Sequence, residues 1–168
     1  MQSNVKFRGH AAALAALIFI ALGSPLYAAT ATTTMTVQMT ITATCLVNSA
    51  STLNFGTQGV LSTNVDQTST VQVTCTNSTP YNVGLDAGTG TGATVATRKM
   101  TSGANTVNYT LYSNAGRTTV WGNTVGTDTV AATGNGAAQS YTVYGRVPTQ
   151  ASPAPGTYTD TITVTVTY

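Results

Sequence analysis

The chain has no glutamate, its single histidine is His10, and charged residues make up only 6% of it. Each absence excludes a class of chemistry. A carboxylate pair for acid–base catalysis could come only from Asp66, Asp86, Asp128 and Asp160. These are far apart in sequence and lie beside turn residues, where aspartate usually bonds its own backbone. His10 falls in a segment that reads as a cleaved leader, so no imidazole remains for general-base work or metal binding. The two cysteines, Cys45 and Cys75, lack the CxxC spacing of a redox pair. The expectation is a protein that is not an enzyme and carries no cofactor and no metal.

Long apolar runs are also scarce. One spans Ala11 to Leu22, preceded by Lys6 and Arg8 and followed by Gly23, Ser24, Pro25 and small residues around Ala28. This is the layout of a secretory signal, removed after Ala28, although a cut after Ala31 fits nearly as well. The run is shorter than the roughly 20 residues of a transmembrane helix, and no other segment approaches that length, so the mature chain is expected to have no integral membrane segment. After the leader, four aspartates meet Arg98, Lys99, Arg117 and Arg146, and the formal +2 of the whole chain belongs to Lys6 and Arg8. A neutral, charge-poor surface has no counterion-release term for nucleic acid, and it favours self-association.

What is abundant is threonine, about a quarter of the residues after the leader. Its β-branch suits strands and its hydroxyl faces water. The exported chain meets an oxidising compartment, which predicts a disulfide between Cys45 and Cys75, with free thiols as the alternative. Closing a loop of about 30 residues stabilises by roughly 3 to 4 kcal/mol in the chain-entropy model.

Cys45 opens a turn-rich stretch, and Leu53 to Gly56 (LNFG) reads as a short strand. Thr68 to Thr76 alternates, with Val71, Val73 and Cys75 on one face. Pro80 to Ala87 follows, with Tyr81, Val83 and Leu85 in phase, and Gly88, Gly90 and Gly92 end it. Arg98 to Thr101 is a short strand. Thr106 to Tyr112 and Arg117 to Trp121 read as a hairpin about Asn114, Ala115 and Gly116. Gly122 to Ala138 is a loop with one weak strand, Gln139 to Val147 is a further strand, and Pro148 to Gly156 is a long turn. No helical period persists over ten residues after the leader. Short strands separated by Gly, Pro and Asn turns predict an all-β, immunoglobulin-like sandwich of one domain.

Three motifs carry little. Gly88 to Gly92 has no helix after it to hold a phosphate. The sequons at Asn77 and Asn108 are short enough to arise by chance in a chain rich in Thr and Asn. Trp121 and the tyrosines suit either a sugar-binding face or packing at sheet edges.

The two ends of the mature chain are the most patterned. Thr33 to Thr44 alternates, with Met35, Val37, Met39, Ile41 and Ala43 on one face. Thr157 to Tyr168 alternates too, with Tyr158, Asp160, Ile162, Val164, Val166 and Tyr168 in phase. The second run then stops, as a sheet would if it lacked its last strand, and an apolar edge of that kind needs a cover. Asp160 is the misfit, explained if it bonds loop backbone at the sandwich mouth.

TxTCxV around Cys45, the LNFG after it, VQVTCT at Cys75, VNYTLYSNAGRTTVWG from Val107 to Gly122, YGRVP from Tyr144 to Pro148 and the closing PGTYTDTITVTVTY resemble spore coat protein U domains. That family includes the pilin subunits of archaic, Csu-type chaperone-usher pili. The resemblance covers essentially the whole mature chain. It implies an incomplete immunoglobulin-like fold, completed by the N-terminal extension of a neighbouring subunit through donor-strand exchange, a form of β-strand addition. Residues 1–28 are then a signal peptide, 29–44 a donor extension and 45–168 the pilin domain. Met35, Val37, Met39 and Ile41 are the donated side chains, while Tyr158, Ile162, Val164, Val166 and Tyr168 belong to the acceptor edge. Neighbouring pilin subunits, a periplasmic chaperone and an outer-membrane usher are the implied partners. The implied destination, reached through the periplasm, is a surface pilus serving adhesion and biofilm formation. A secreted carbohydrate-binding or adhesin module and a spore or cyst coat protein are the alternatives. Two questions stay open at this level. The alternative is that residues 33–44 are only the first strand of their own sheet, which periodicity does not exclude. Cys45 also continues the phase of Met35 to Ile41 while tied to its own domain, so the point between Thr40 and Thr44 where donation would end is unmarked.

Overall fold

The computed structural model describes residues 27–168, and the leader predicted over residues 1–28 lies, up to residue 26, outside them. The chain divides between Met39 and Thr40 into two units. In the first, residues 27–39 have no regular secondary structure. The second holds every strand: β1 (Cys45–Ala50), β2 (Val65–Cys75), β3 (Pro80–Leu85), β4 (Arg98–Ser102), β5 (Asn105–Tyr112), β6 (Val130–Thr133), β7 (Ala138–Val147) and β8 (Val164–Thr167). No helix occurs among the described residues.

One sheet has the order β1-β2-β7-β5-β4, the other β6-β3-β8, and every strand pair is antiparallel. The longest ladder joins β2 to β7, from Val65 opposite Val147 to Thr74 opposite Ala138. Alternation explains the core: Val71, Val73, Cys75, Tyr81, Val83, Leu85, Val107, Tyr109, Leu111, Val143 and Val147 are all buried between the sheets. Cys45 and Cys75 are register partners on β1 and β2, their Cα atoms are 4.1 Å apart, and they are disulfide-bonded.

Two local expectations are corrected here. The stretch after Cys45 is strand β1, not a turn. LNFG is not a strand: the Asn54 side-chain oxygen accepts from Gly56 N at 2.8 Å, Gly56 takes a φ of 73°, and the chain folds inward. Leu53 and Phe55 then occupy the space left by the missing side chain of Gly145 on β7. Arg117 to Trp121 returns antiparallel to the end of β5 as a short hairpin arm, with a bridge between Tyr112 and Val120 and backbone bonds from Ser113 N to Thr119 O (3.0 Å) and from Trp121 N to Leu111 O (2.9 Å). The turn is closed by Arg117, with a φ of 53°, and by Asn114 Oδ1, which accepts from both Thr118 N and Thr119 N. The longer ladders of β5 are with β4, across the Gly103 turn, and with β7.

The closing run is also not one strand. Thr159 exchanges backbone bonds with Thr101 of β4, in the larger sheet, whereas β8 pairs with β3 in the smaller one. A run that changes sheets must break its ladder at the corner.

At one end of the sandwich lies a fully buried arginine, which the sequence did not announce. Arg98 has 0% exposure, and its guanidinium donates to the carbonyls of Asp86 (2.7 Å), Val95 (2.8 Å), Leu85 (2.9 Å) and Trp121 (2.7 Å). Burial pulls its pKa below the usual arginine value, while Tyr109, Asp86, Asp160 and Asp128 push it back. Its fork geometry satisfies four acceptors that would otherwise be stranded. Replacing Arg98 with leucine is expected to destabilise the fold by on the order of 3 to 5 kcal/mol, and lysine should not rescue it, because one ammonium cannot span four carbonyls. Urea denaturation midpoints of the two variants against the parent test this.

Candidate functional site

The second unit is open along one side. A groove of about 1170 Å³ runs between the sheets, with Val71, Leu85, Met100, Val107, Tyr109, Leu111 and Val143 on its floor. Residues 50–59 form one rim and residues 152–162 the other. Tyr158, Ile162 and Val164 line it. Val166, on the edge strand β8, packs on the core without lining the groove, and Tyr168 is exposed. β8 has β3 on one side, and no strand among the described residues pairs with its other edge.

Side-chain carboxylates hold the groove rim where the ladder lapses. Asp160 Oδ1 accepts from Thr89 N (2.8 Å), Thr89 Oγ1 (2.9 Å) and Thr161 N (2.8 Å), and its Oδ2 accepts from the Tyr109 hydroxyl at 2.7 Å. This places the misfit of the closing run against loop backbone, as its position suggested. Gly88, with a φ of 80°, is required here because a Cβ would collide with the Asp160 carboxylate. Burial pushes the Tyr109 phenol up, and its bond to Asp160 adds to the shift. Asp86, at the end of β3, has the matching role: its Oδ1 accepts from Thr163 N (2.9 Å) and Gly88 N (3.0 Å), and its own N–H donates to Thr163 O. Burial pushes the Asp86 pKa up, but the bonds from Thr163 and Gly88 and the charge of Arg98 outweigh it and bring it below the ordinary value.

Met35, Val37, Met39 and Ile41 are 84%, 84%, 83% and 77% exposed, and residues 27–44 form no strand. Thr44 marks where the chain joins its own sandwich. Its N–H donates to Thr76 Oγ1 at 3.1 Å and its carbonyl accepts from Thr76 N at 2.9 Å, one residue before the disulfide. Trp121, considered above for a sugar-binding face, is 1% exposed and donates its indole N–H to Val83 O at 2.8 Å, so it offers no ring to a ligand. Arg117 and Arg146 share Asp66 on the outer face of β2 and β7, and Arg117 also lies over the Tyr144 ring. The Arg146 hydrogen bond is the main reason the Asp66 carboxyl is held below its usual range. Sequence reasoning had linked none of these residues. The four aspartates do not converge on a catalytic pair: Asp66 is taken up by arginines, and Asp86, Asp128 and Asp160 by backbone N–H groups.

Two antiparallel sheets enclosing an open apolar groove define an immunoglobulin-like β-sandwich. The family model for the Spore Coat Protein U domain matches residues 31–165, and the chain belongs to that family, one of structural proteins rather than enzymes. It is 34% identical over 172 residues to Protein U of Myxococcus xanthus, covering 94% of this chain and 96% of that protein. Among solved structures, it is similar to a chain in the chaperone–tip adhesion subunit pre-assembly complex from archaic chaperone-usher Csu pili of Acinetobacter baumannii. The TM-score is 0.57 at 23% identity, over 77% of this chain and 41% of that one. At that identity the likeness concerns the fold.

The carboxylates set a pH dependence. A carboxyl whose folded pKa lies below its ordinary 3.8 stabilises the fold above that value, and the contribution is lost as pH falls through the folded pKa. Stability should therefore decline on acidification below about pH 4, and the Asp86→Asn variant should show a shallower acid limb than the parent. Thermal denaturation from pH 7 to pH 2 reads both.

Proposed function

We propose that the chain is a structural pilus subunit of an archaic chaperone-usher system. In this reading residues 29–44 are the donor extension, and 45–168 are an incomplete domain completed by the extension of a neighbouring copy or sister subunit. The observation that carries it is the open groove beside the free edge of β8, in a chain whose residues 33–41 have an apolar face and no strand of their own. The alternative, that these residues are the first strand of the same sheet, has no support in the strand order.

The dimensions agree. Nine residues from Thr33 to Ile41 extend about 30 Å, the length of a small sandwich. Burial of Met35, Val37, Met39 and Ile41 contributes on the order of 6 to 12 kcal/mol before ordering costs. The anchoring of Thr44 to Thr76 supports Ala43 as the last residue free to leave, so Met35 to Ile41 can be given away while Cys45 stays. The same apolar groove explains the need for a periplasmic chaperone that covers it before assembly at an outer-membrane usher. Export through the predicted leader, transit through the periplasm and display as a fibre for adhesion and biofilm formation complete the proposal. A second reading, a coat protein of a spore or cyst surface, is favoured by the family's name and by the near full-length similarity to Protein U. Immunolabelling of intact cells separates them, since a pilin labels filaments and a coat protein labels the cell or spore envelope.

Comparison of the mature chain with a form lacking residues 29–41, on gels run with and without boiling, tests the strand donation. Heat-labile ladders are expected only from the longer form, and equal laddering from the truncated chain would sink the assignment. Val37→Asp or Met39→Asp should abolish laddering while leaving the monomer folded, as judged by its denaturation midpoint.

A further inference from the structure

Beyond its leader the sequence contains three methionines, Met35, Met39 and Met100. All three fall on the two halves of the proposed joint. Met35 and Met39 share the apolar face of residues 33–41 and are exposed. Met100, on β4 opposite Val107, lines the groove and packs against the core. The two cysteines are bonded to each other and no free thiol occurs among the described residues, so the oxidisable sulfur of the unassembled subunit is thioether.

We infer that Met35 and Met39 are modification sites, at which oxidation by hydrogen peroxide blocks assembly and which assembly then shields. The inference rests on strand donation and concerns the regulation of that joint. A sulfur lone pair attacks one peroxide oxygen, the S–O bond forms as the O–O bond breaks, and proton transfer to the leaving oxygen releases water. The sulfur is oxidised by two electrons and the peroxide is reduced by two. The product, methionine sulfoxide, replaces a flexible apolar side chain with a polar one. Its oxygen needs a hydrogen-bond donor, and the floor supplies chiefly aliphatic carbon from Val71, Leu85, Val107, Leu111 and Val143. The Tyr109 hydroxyl on that floor is already given to Asp160. An oxidised donor would therefore bury an unsatisfied acceptor. Once Met35 and Met39 are seated, the same burial removes them from solvent and from the oxidant.

The test uses the leader-free chain in monomeric form, exposed to hydrogen peroxide before assembly, desalted, and scored by heat-labile ladders, with peptide masses reporting each sulfoxide. Ladder yield should fall at least tenfold, and methionine sulfoxide reductases of both stereospecificities should restore it. The triple variant Met35→Leu, Met39→Leu, Met100→Leu should keep its yield through the same treatment. Polymers formed first and then treated should retain unmodified Met35 and Met39. Undiminished laddering by the sulfoxide form, failure of the reductases to restore it, or oxidation of Met35 and Met39 within formed polymers overturns the inference. Should the leucine variant not assemble even untreated, the reductase arm decides. Strand donation itself fails by a different result, equal laddering without residues 29–41, so the two failures are separable.

Discussion

Four residue pairs, from Asn82 with Thr167 to Leu85 with Val164, hold β8 to the sandwich, and the rest of the groove is arranged around that single ladder. A strand bonded on one side leaves N–H and C=O groups on the other without partners. Upstream, where the run changes sheets, Asp86 and Asp160 take over from backbone bonding by accepting from Thr163, Thr89 and Thr161. Polar satisfaction is consequently complete among the described buried side chains even though the apolar floor lies open. What remains unfilled is hydrocarbon contact and one strand edge, which are what another strand supplies.

The larger sheet carries the complementary burden. The β2–β7 ladder and the disulfide between β1 and β2 give the floor a stiff backing, and Arg98 binds the end of β3, the Val95 loop and Trp121 into one corner. A guanidinium buried without a salt bridge is retained for the geometry it imposes, since its four acceptors come from three separate segments. The open side can therefore lack a strand while the remaining strands keep their places.

Much of this fold could be read from periodicity. Val71, Val73 and Cys75, and then Tyr81, Val83 and Leu85, alternate cleanly and are buried as expected, because a strand's two faces meet different solvents. Where reading failed, side chains competed with the backbone ladder. Asn54 turned an apparent strand into a folded loop, and Asp86 and Asp160 interrupted the closing run. Arg98 was illegible for a different reason: its partners are carbonyls, which every residue has, so no complementary charge marks the site. In the candidate site, Tyr158, Ile162 and Val164 follow from their phase. Val166 and Tyr168 share that phase but lie off the groove, and phase alone does not say where a groove ends.

The bond between Cys45 and Cys75 stands one residue after the anchored Thr44. In the proposed fibre, load arriving along the donor extension would enter the domain at this point. An edge strand pulled from its end ordinarily peels away one hydrogen bond at a time. Here the covalent link hands the force at once to the end of β2, an interior strand paired with β7 through its longest run. The crosslink that restrains the unfolded chain would thus also decide which strand first takes the load.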